Sequence, residues 1–182
     1  MITKNPKSAV EIVPYDSRAP EIFESVKKFI ANIISYEVEI EHVGSTAVTG
    51  LGGKGIIDIL IITKRRQQLV EIADILRNNG FSHNPESKHA EDRFFVSGSY
   101  RYEGTDLHIH IHITFQNSGA HKDMVAFRDY LRLHPEEAEA YYELKKEWGK
   151  EAGSDAGKYT ELKTTYINKV HEKARKEIGD DM

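Results

Sequence analysis

Apolar residues recur at helical spacing through Ile22, Phe23, Val26, Phe29, Ile30, Ile33 and Ile34, which predicts a first helix with a core-facing stripe. Pro20 stands where a first helical turn tolerates it. Upstream, residues 10–13 alternate and stop at Pro14, predicting a short strand. Residues 38–43 alternate as well, as a strand with one wet face does. The run 56–62 is different: it is β-branched, apolar on both faces and broken by one acid, Asp58. It predicts a central strand covered on both sides. Leu69, Ile72, Ala73 and Leu76 predict a helix over 67–78, ended by Asn79-Gly80.

Residues 81–91 are polar and predict a loop or edge segment. Residues 93–96 and 99–103 resemble the arms of a hairpin turning at Ser97-Gly98. Residues 106–115 alternate strictly, with Asp106, His108, His110 and His112 on one face and Leu107, Ile109, Ile111 and Ile113 on the other. After Asn117-Ser118-Gly119, the stripe Met124, Phe127, Tyr130 and Leu131 predicts a helix. His134-Pro135 breaks it, and Pro135 opens the next through Ala140, Leu144 and Trp148. Residues 149–157 predict a loop, and 158–178 a last helix with a charged face. The order implies one α+β (α/β) domain over residues 9–182, after a loose segment 1–8, with a mixed sheet, flanking helices and a helical C-terminal third.

Composition narrows the functions. A net charge of -4 with a pI near 6.1 argues against general nucleic-acid binding. Cysteine is absent, which removes disulfides, thiolate nucleophiles and Cys-type zinc sites. No apolar run is long enough to span a bilayer and the N-terminus has no apolar signal core, so the expected address is the cytoplasm.

The chemistry concentrates between residues 42 and 58. Gly44-Ser45-Thr46 follows a strand within a loop of five glycines, residues 44–55. Such a loop can aim N–H groups and hydroxyls at phosphate oxygens, with Lys54 adding charge. It lacks the Walker spacing, so it is not a P-loop; an ordinary turn would use the same residues. Asp58, flanked by isoleucines and a leucine, is costly unless paired, hydrogen-bonded or metal-bound. It reads as a metal ligand or general base, or as an acceptor for the glycine loop.

His42-Val43-Gly44-Ser45-Thr46, Gly50-Leu51, Lys54 and Ile56-Ile57-Asp58-Ile59-Leu60 together resemble the GrpB family. So do Val13-Pro14-Tyr15-Asp16, Leu107-His108-Ile109-His110, Phe127-Arg128-Asp129-Tyr130-Leu131 with His134-Pro135, and Tyr159 and Lys163. The resemblance covers residues 10–174. It implies a minimal nucleotidyltransferase-like fold, in a family also found fused to dephospho-CoA kinase. In that fold Gly-Ser holds a triphosphate and an Asp-x-Asp pair, with a third acid from a neighbouring strand, binds Mg²⁺. Gly44-Ser45 and Asp58 match this layout, but Leu60 replaces the second acid; Thr49 and Gly55 stand where the family commonly has proline.

If the histidine strand lies beside Asp58, imidazoles from His108, His110 or His112 are candidates to replace the missing acid; the other reading is a solvated face. The expected catalytic and metal set is Asp58, His108 and His110, with Mg²⁺ or Mn²⁺ favoured and zinc or iron open. The expected phosphate or nucleotide set is His42, Gly44, Ser45, Thr46, Lys54, Arg93, Arg128 and Lys163; salt bridges are the alternative for both arginines. His83, His89, His121 and His171 read as surface residues. Three functions compete: metal-assisted nucleotidyl transfer to an unknown acceptor, a catalytically inactive module binding a nucleotide or other phosphate compound, and, last, a protein adaptor. The oligomeric state stays open.

Overall fold

The computed structural model of the chain describes residues 10–82 and 91–178. The expected loose segment 1–8, most of the 81–91 loop, His83 and His89 therefore lie outside the described residues. Helix α1 (Ala19–Ile33) leads into β1 (Val38–Val43), one 3-10 turn at Ser45–Ala47, and β2 (Ile57–Thr63). Helix α2 (Gln68–Asn78), β3 (Arg93–Tyr102) and β4 (Thr105–Phe115) follow. Three helices complete the described residues: α3 (Gly119–Leu133), α4 (Pro135–Ala152) and α5 (Ala156–Ile178).

The four strands form one mixed sheet in the order β1-β2-β4-β3. β2 runs antiparallel to β1 and parallel to β4, and β3 runs antiparallel to β4. β2 and β4 are thus the inner strands, which is why 57–63 carries almost no polar residue. Ile57, Ile59, Ile61, Ile109, Ile111 and Ile113 face α1 and α2, where Ile22, Val26, Ile30, Leu69, Ile72 and Leu76 close the main core. The opposite face carries Val43, Leu60 and Ile62, packed against Met124 and Val125 of α3. A third core joins the C-terminal helices to the glycine loop, with Val48 and Leu51 seated among Phe127, Leu131, Tyr141 and Val170. Those two side chains anchor the loop and hold Ser45 in place.

Four expectations are corrected. Residues 10–13 make a single bridge, Val13 to Gly53, rather than a strand. β3 is continuous through Ser97-Gly98, because Gly98 pairs with Ile109. The reversal comes at Glu103-Gly104, both at positive φ (46° and 81°), as a two-residue hairpin turn requires. α4 runs through Gly149 to Ala152, because the bare Gly149 backbone lets the helix close on Ile12. α5 then begins at Ala156, with the Asp155 carboxylate accepting from the N–H groups of Gly157 and Lys158.

Candidate functional site

Parallel pairing of β2 with β4 sets Asp58 directly opposite His110 and Leu60 opposite His112. Asp58 Oδ1 lies 3.3 Å from His110 Nδ1 and 3.7 Å from His112 Nε2. Burial alone would raise the Asp58 pKa, but the two imidazoles facing it, His110 first and then His112, outweigh it and hold the carboxyl well below the usual carboxylate range. Burial keeps His112 below the ordinary histidine value in spite of Asp58, so its ring is neutral near pH 7. Phe95 of β3 packs against both rings at 5.0 and 5.2 Å between centroids. The Asp58 side chain remains 23% exposed, so the acid of this covered strand sits at the floor of an opening.

Gly44 shapes that floor. Its φ of 71° and ψ of -166° belong to a region that only glycine occupies readily. A Cβ there would meet Asp58 Cβ and Cγ at 2.8 Å, and Oδ2 closer still. The loop backbone therefore lies flat on the carboxylate. Behind it, the Thr46 hydroxyl donates to the Ile56 carbonyl at 3.1 Å, so it accepts from His42 Nε2 at 3.0 Å. His42 stacks on Phe23 at 4.7 Å, and burial pushes its pKa down to about 4 against the raising effect of Asp58. The neutral imidazole is a strut for the turn.

A cleft of about 440 Å³ opens between the sheet, the loop, α3 and α5, within the range of small-molecule sites. Gly44, Ser45, Asp58, Arg93, His112, Tyr141 and Lys163 line it. Among the described residues, Arg93 and Lys163 have no carboxylate partner. The other expected residues lie elsewhere. His42 and Thr46 line a separate cavity of about 970 Å³ on the far side of the loop. Arg128 is buried and pairs with Glu41 and Asp129 while donating to the His42 carbonyl, and these bonds raise its pKa against its own burial. Lys54 has an exposed stem, but its ammonium sits 5.4 Å over the Tyr159 ring. Desolvation, then Lys163, lowers its pKa. His108 is half-buried two residues along from His110, and its Nδ1 has no partner among the described residues. Burial, then His110 and Lys54, lowers its pKa.

Among the described residues, no three His, Asp or Glu side chains converge so as to hold a metal ion. Leu60 is wholly buried in apolar contacts, and Asp58 is committed to two imidazoles. These donors do not fit the two-ion clamp of the Asp-x-Asp layout, which needs several oxygen ligands for Mg²⁺.

Sequence reasoning missed Lys145, Tyr141 and His171. His171, expected at the surface, is half-buried, lines the cleft and packs on Phe127. Lys145 is 1% exposed; its ammonium donates to Ser45 Oγ at 2.9 Å and to the Gly52 carbonyl. The available signal was periodicity: Ala138, Tyr141, Lys145, Gly149 and Ala152 form one buried stripe of α4, and a lysine in that stripe is anomalous.

The pattern of the GrpB protein family matches residues 9–173. UPF0157 protein YqkA of Bacillus subtilis is 30% identical over 94% of this chain, although the chain spans only about half, 49%, of that relative's length. The crystal structure of GrpB from Enterococcus faecalis is 26% identical, with a TM-score of 0.77, covering 92% of this chain and 99% of that one. The Cid1 poly(U) polymerase with MgGTP bound is 18% identical, with a TM-score of 0.51 over 76% of this chain and 44% of the polymerase. That last likeness concerns the fold alone. The chain belongs to the GrpB family, and its mixed sheet with flanking helices is the fold of the nucleotidyltransferases.

Proposed function

We propose that the cleft binds a phosphate-bearing small molecule, a nucleotide foremost, without a two-metal transfer reaction. The supporting observation is the pair of cations, Arg93 on β3 and Lys163 on α5, that line the same opening as the Ser45 hydroxyl and form no ion pair among the described residues. Arg93 offers the planar fork that suits a phosphate, and Lys163 a mobile point charge. The apolar wall of Met124, Phe127 and Ile167 gives the rest of the ligand a dry surface. Asp58 belongs to this reading as the post that holds Gly44 and the two imidazoles.

Calorimetric titration of the metal-stripped protein with pyrophosphate, ATP, GTP, CTP and UTP, with and without Mn²⁺, tests it. Binding is expected without Mn²⁺ and weaker by at least tenfold in Arg93→Ala and Lys163→Ala, the order of one charge-assisted hydrogen bond. Absence of binding overturns the reading. Binding that needs Mn²⁺ and vanishes in Asp58→Asn replaces it with metal-assisted transfer.

A further inference from the structure

Phosphate binding leaves unexplained why a lysine is buried beneath the loop. Among the described residues, Lys145 Nζ touches three things: Ser45 Oγ at 2.9 Å, the Gly52 carbonyl, and the Tyr141 ring, 4.5 Å from its centroid. Among the described residues it has no carboxylate within ion-pair distance. Burial, then the facing charge of Lys163 on α5, pushes its pKa down to about 7, against the opposing pull of Asp58 on β2. A large share of the molecules therefore carries a neutral amine near pH 7.

The hydrogen-bond accounting of that amine is specific. The Gly52 carbonyl and the Tyr141 π face can only accept, so they take its two N–H groups. Of the three neighbours, the Ser45 hydroxyl is the one able to donate into the lone pair. Ser45 in turn lines the cleft, held by the anchored turn that follows Gly44. The Tyr141 hydroxyl gives a second, independent observation. It is buried without a hydrogen-bond partner among the described residues, on a side chain 1% exposed that lines the same cleft. Burial raises the Tyr141 pKa well above the ordinary phenol, so it stays a donor that wants an acceptor.

We propose that Ser45 is a nucleophile with Lys145 as its general base, and that the cleft takes a small carboxylic ester whose carbonyl oxygen accepts from the Tyr141 hydroxyl. Ser45 Oγ attacks the carbonyl carbon while its proton passes to Lys145 Nζ. The tetrahedral carbon then expels the alkoxide, which takes that proton from Lys145 as the ester C–O bond breaks. Water attacks the acyl-serine, giving a proton to Lys145 as the new bond forms. The bond to Oγ breaks, and Lys145 returns the proton to Oγ. Ester and water become acid and alcohol, with the protein unchanged. Serine–lysine pairs of this kind occur on unrelated folds. Arg93 and Lys163 at the cleft favour an anionic ester.

The test uses the full chain, a fluorophosphonate probe and p-nitrophenyl acetate, read by intact mass, peptide mapping and nitrophenolate release. One adduct is expected, on Ser45, forming about tenfold faster at pH 8 than at pH 6 as the general base loses its proton. Ser45→Ala abolishes it. Tyr141→Phe slows ester turnover by on the order of a hundredfold while keeping the pH profile. Lys145→Met, with circular dichroism confirming its fold, removes the pH dependence; the profile of the unmodified protein serves if that variant does not fold. No adduct, an adduct on another residue, or a rate indifferent to pH overturns the proposal. Nucleotide binding by calorimetry without a Ser45 adduct refutes this inference and leaves the binding reading standing. An adduct without nucleotide binding does the reverse.

Discussion

Replacing Gly44 by alanine tests the architecture at its tightest point. Two costs add. The backbone at φ 71° and ψ -166° is strained for any residue with a Cβ, which costs about 1–3 kcal/mol. The new methyl would also stand 2.8 Å from Asp58 Cβ and Cγ, so one strand or the loop must move, an overpacking cost of about 1–3 kcal/mol. Together they remove roughly 2–6 kcal/mol from a fold whose whole stability is about 5–15 kcal/mol. In a chain of this length the melting temperature should drop by roughly 5–20 °C. Gly50→Ala is the control for positive φ: φ is 82°, and nothing lies within 4 Å of the added Cβ, so no clash is added there. Urea unfolding of both variants isolates the contact with Asp58. Adding Gly44→Ala to an Asp58→Ala background should recover about 1 kcal/mol, since Oδ2 and Cγ are gone while Cβ remains. If Gly44→Ala and Gly50→Ala cost the same, or the double variant recovers nothing, the loop does not rest on the carboxylate.

Other outcomes follow from the same contacts. His42 titrates at about 4 when folded against 6.5 unfolded. Above 6.5 it is neutral in both states; as pH falls through this window only the unfolded chain takes the proton. Stability therefore drops toward pH 4 by on the order of 3 kcal/mol, a slope that urea melts should show and that His42→Gln should flatten; an NMR titration near 6.5 contradicts it. His134 bonds to Glu177 at 2.8 Å and Glu136 at 3.2 Å, and these, Glu177 foremost, raise its pKa. Its contribution is present at acid pH and lost as pH rises through that raised value, so its NMR titration should lie above the ordinary histidine value and fall in Glu177→Gln; an unchanged midpoint removes the link between α5 and the α3–α4 junction. Leu60→Ala should cost about 2–5 kcal/mol, because the side chain is wholly buried with Val43 and Ile62. Nucleotide titration of that variant should match the unmodified chain, and a cost below about 1 kcal/mol would mean that position 60 is not part of a packed core.

Period and punctuation carried much of the architecture. The unbroken apolar run around Asp58 could only belong to an inner strand, and strict alternation from Asp106 to Phe115 placed all the histidines on one face of β4. Alternation assigns faces, however, and not neighbours. That His110 rather than His108 stands opposite Asp58 follows from the parallel register, which depends on how far the chain travels through α2 and β3 before β4 returns. Gly98 and Gly149 look like punctuation in the sequence, yet Gly98 sits inside a paired strand and Gly149 lets α4 close on Ile12; the true reversal uses Glu103, a residue with no turn signature of its own.

The site shows the same limit more sharply. Gly44, Ser45 and Asp58 were legible because loop and acid lie close in sequence and carry chemistry that a core does not need. Arg128 has equally suggestive chemistry, yet β1 supplies Glu41 from 87 positions away and consumes it. Lys145 reaches Ser45 across 100 positions, so no local window contains both. What the sequence did hold was a contradiction, a cation in the apolar stripe of α4. A lysine that helix packing forces indoors must find acceptors or lose its proton, and among the described residues it finds a carbonyl, an aromatic face and one hydroxyl. A residue that breaks its own helix's pattern is stronger evidence for a site than one that fits a motif, because burying a cation away from a carboxylate costs stability that an apolar side chain there would not.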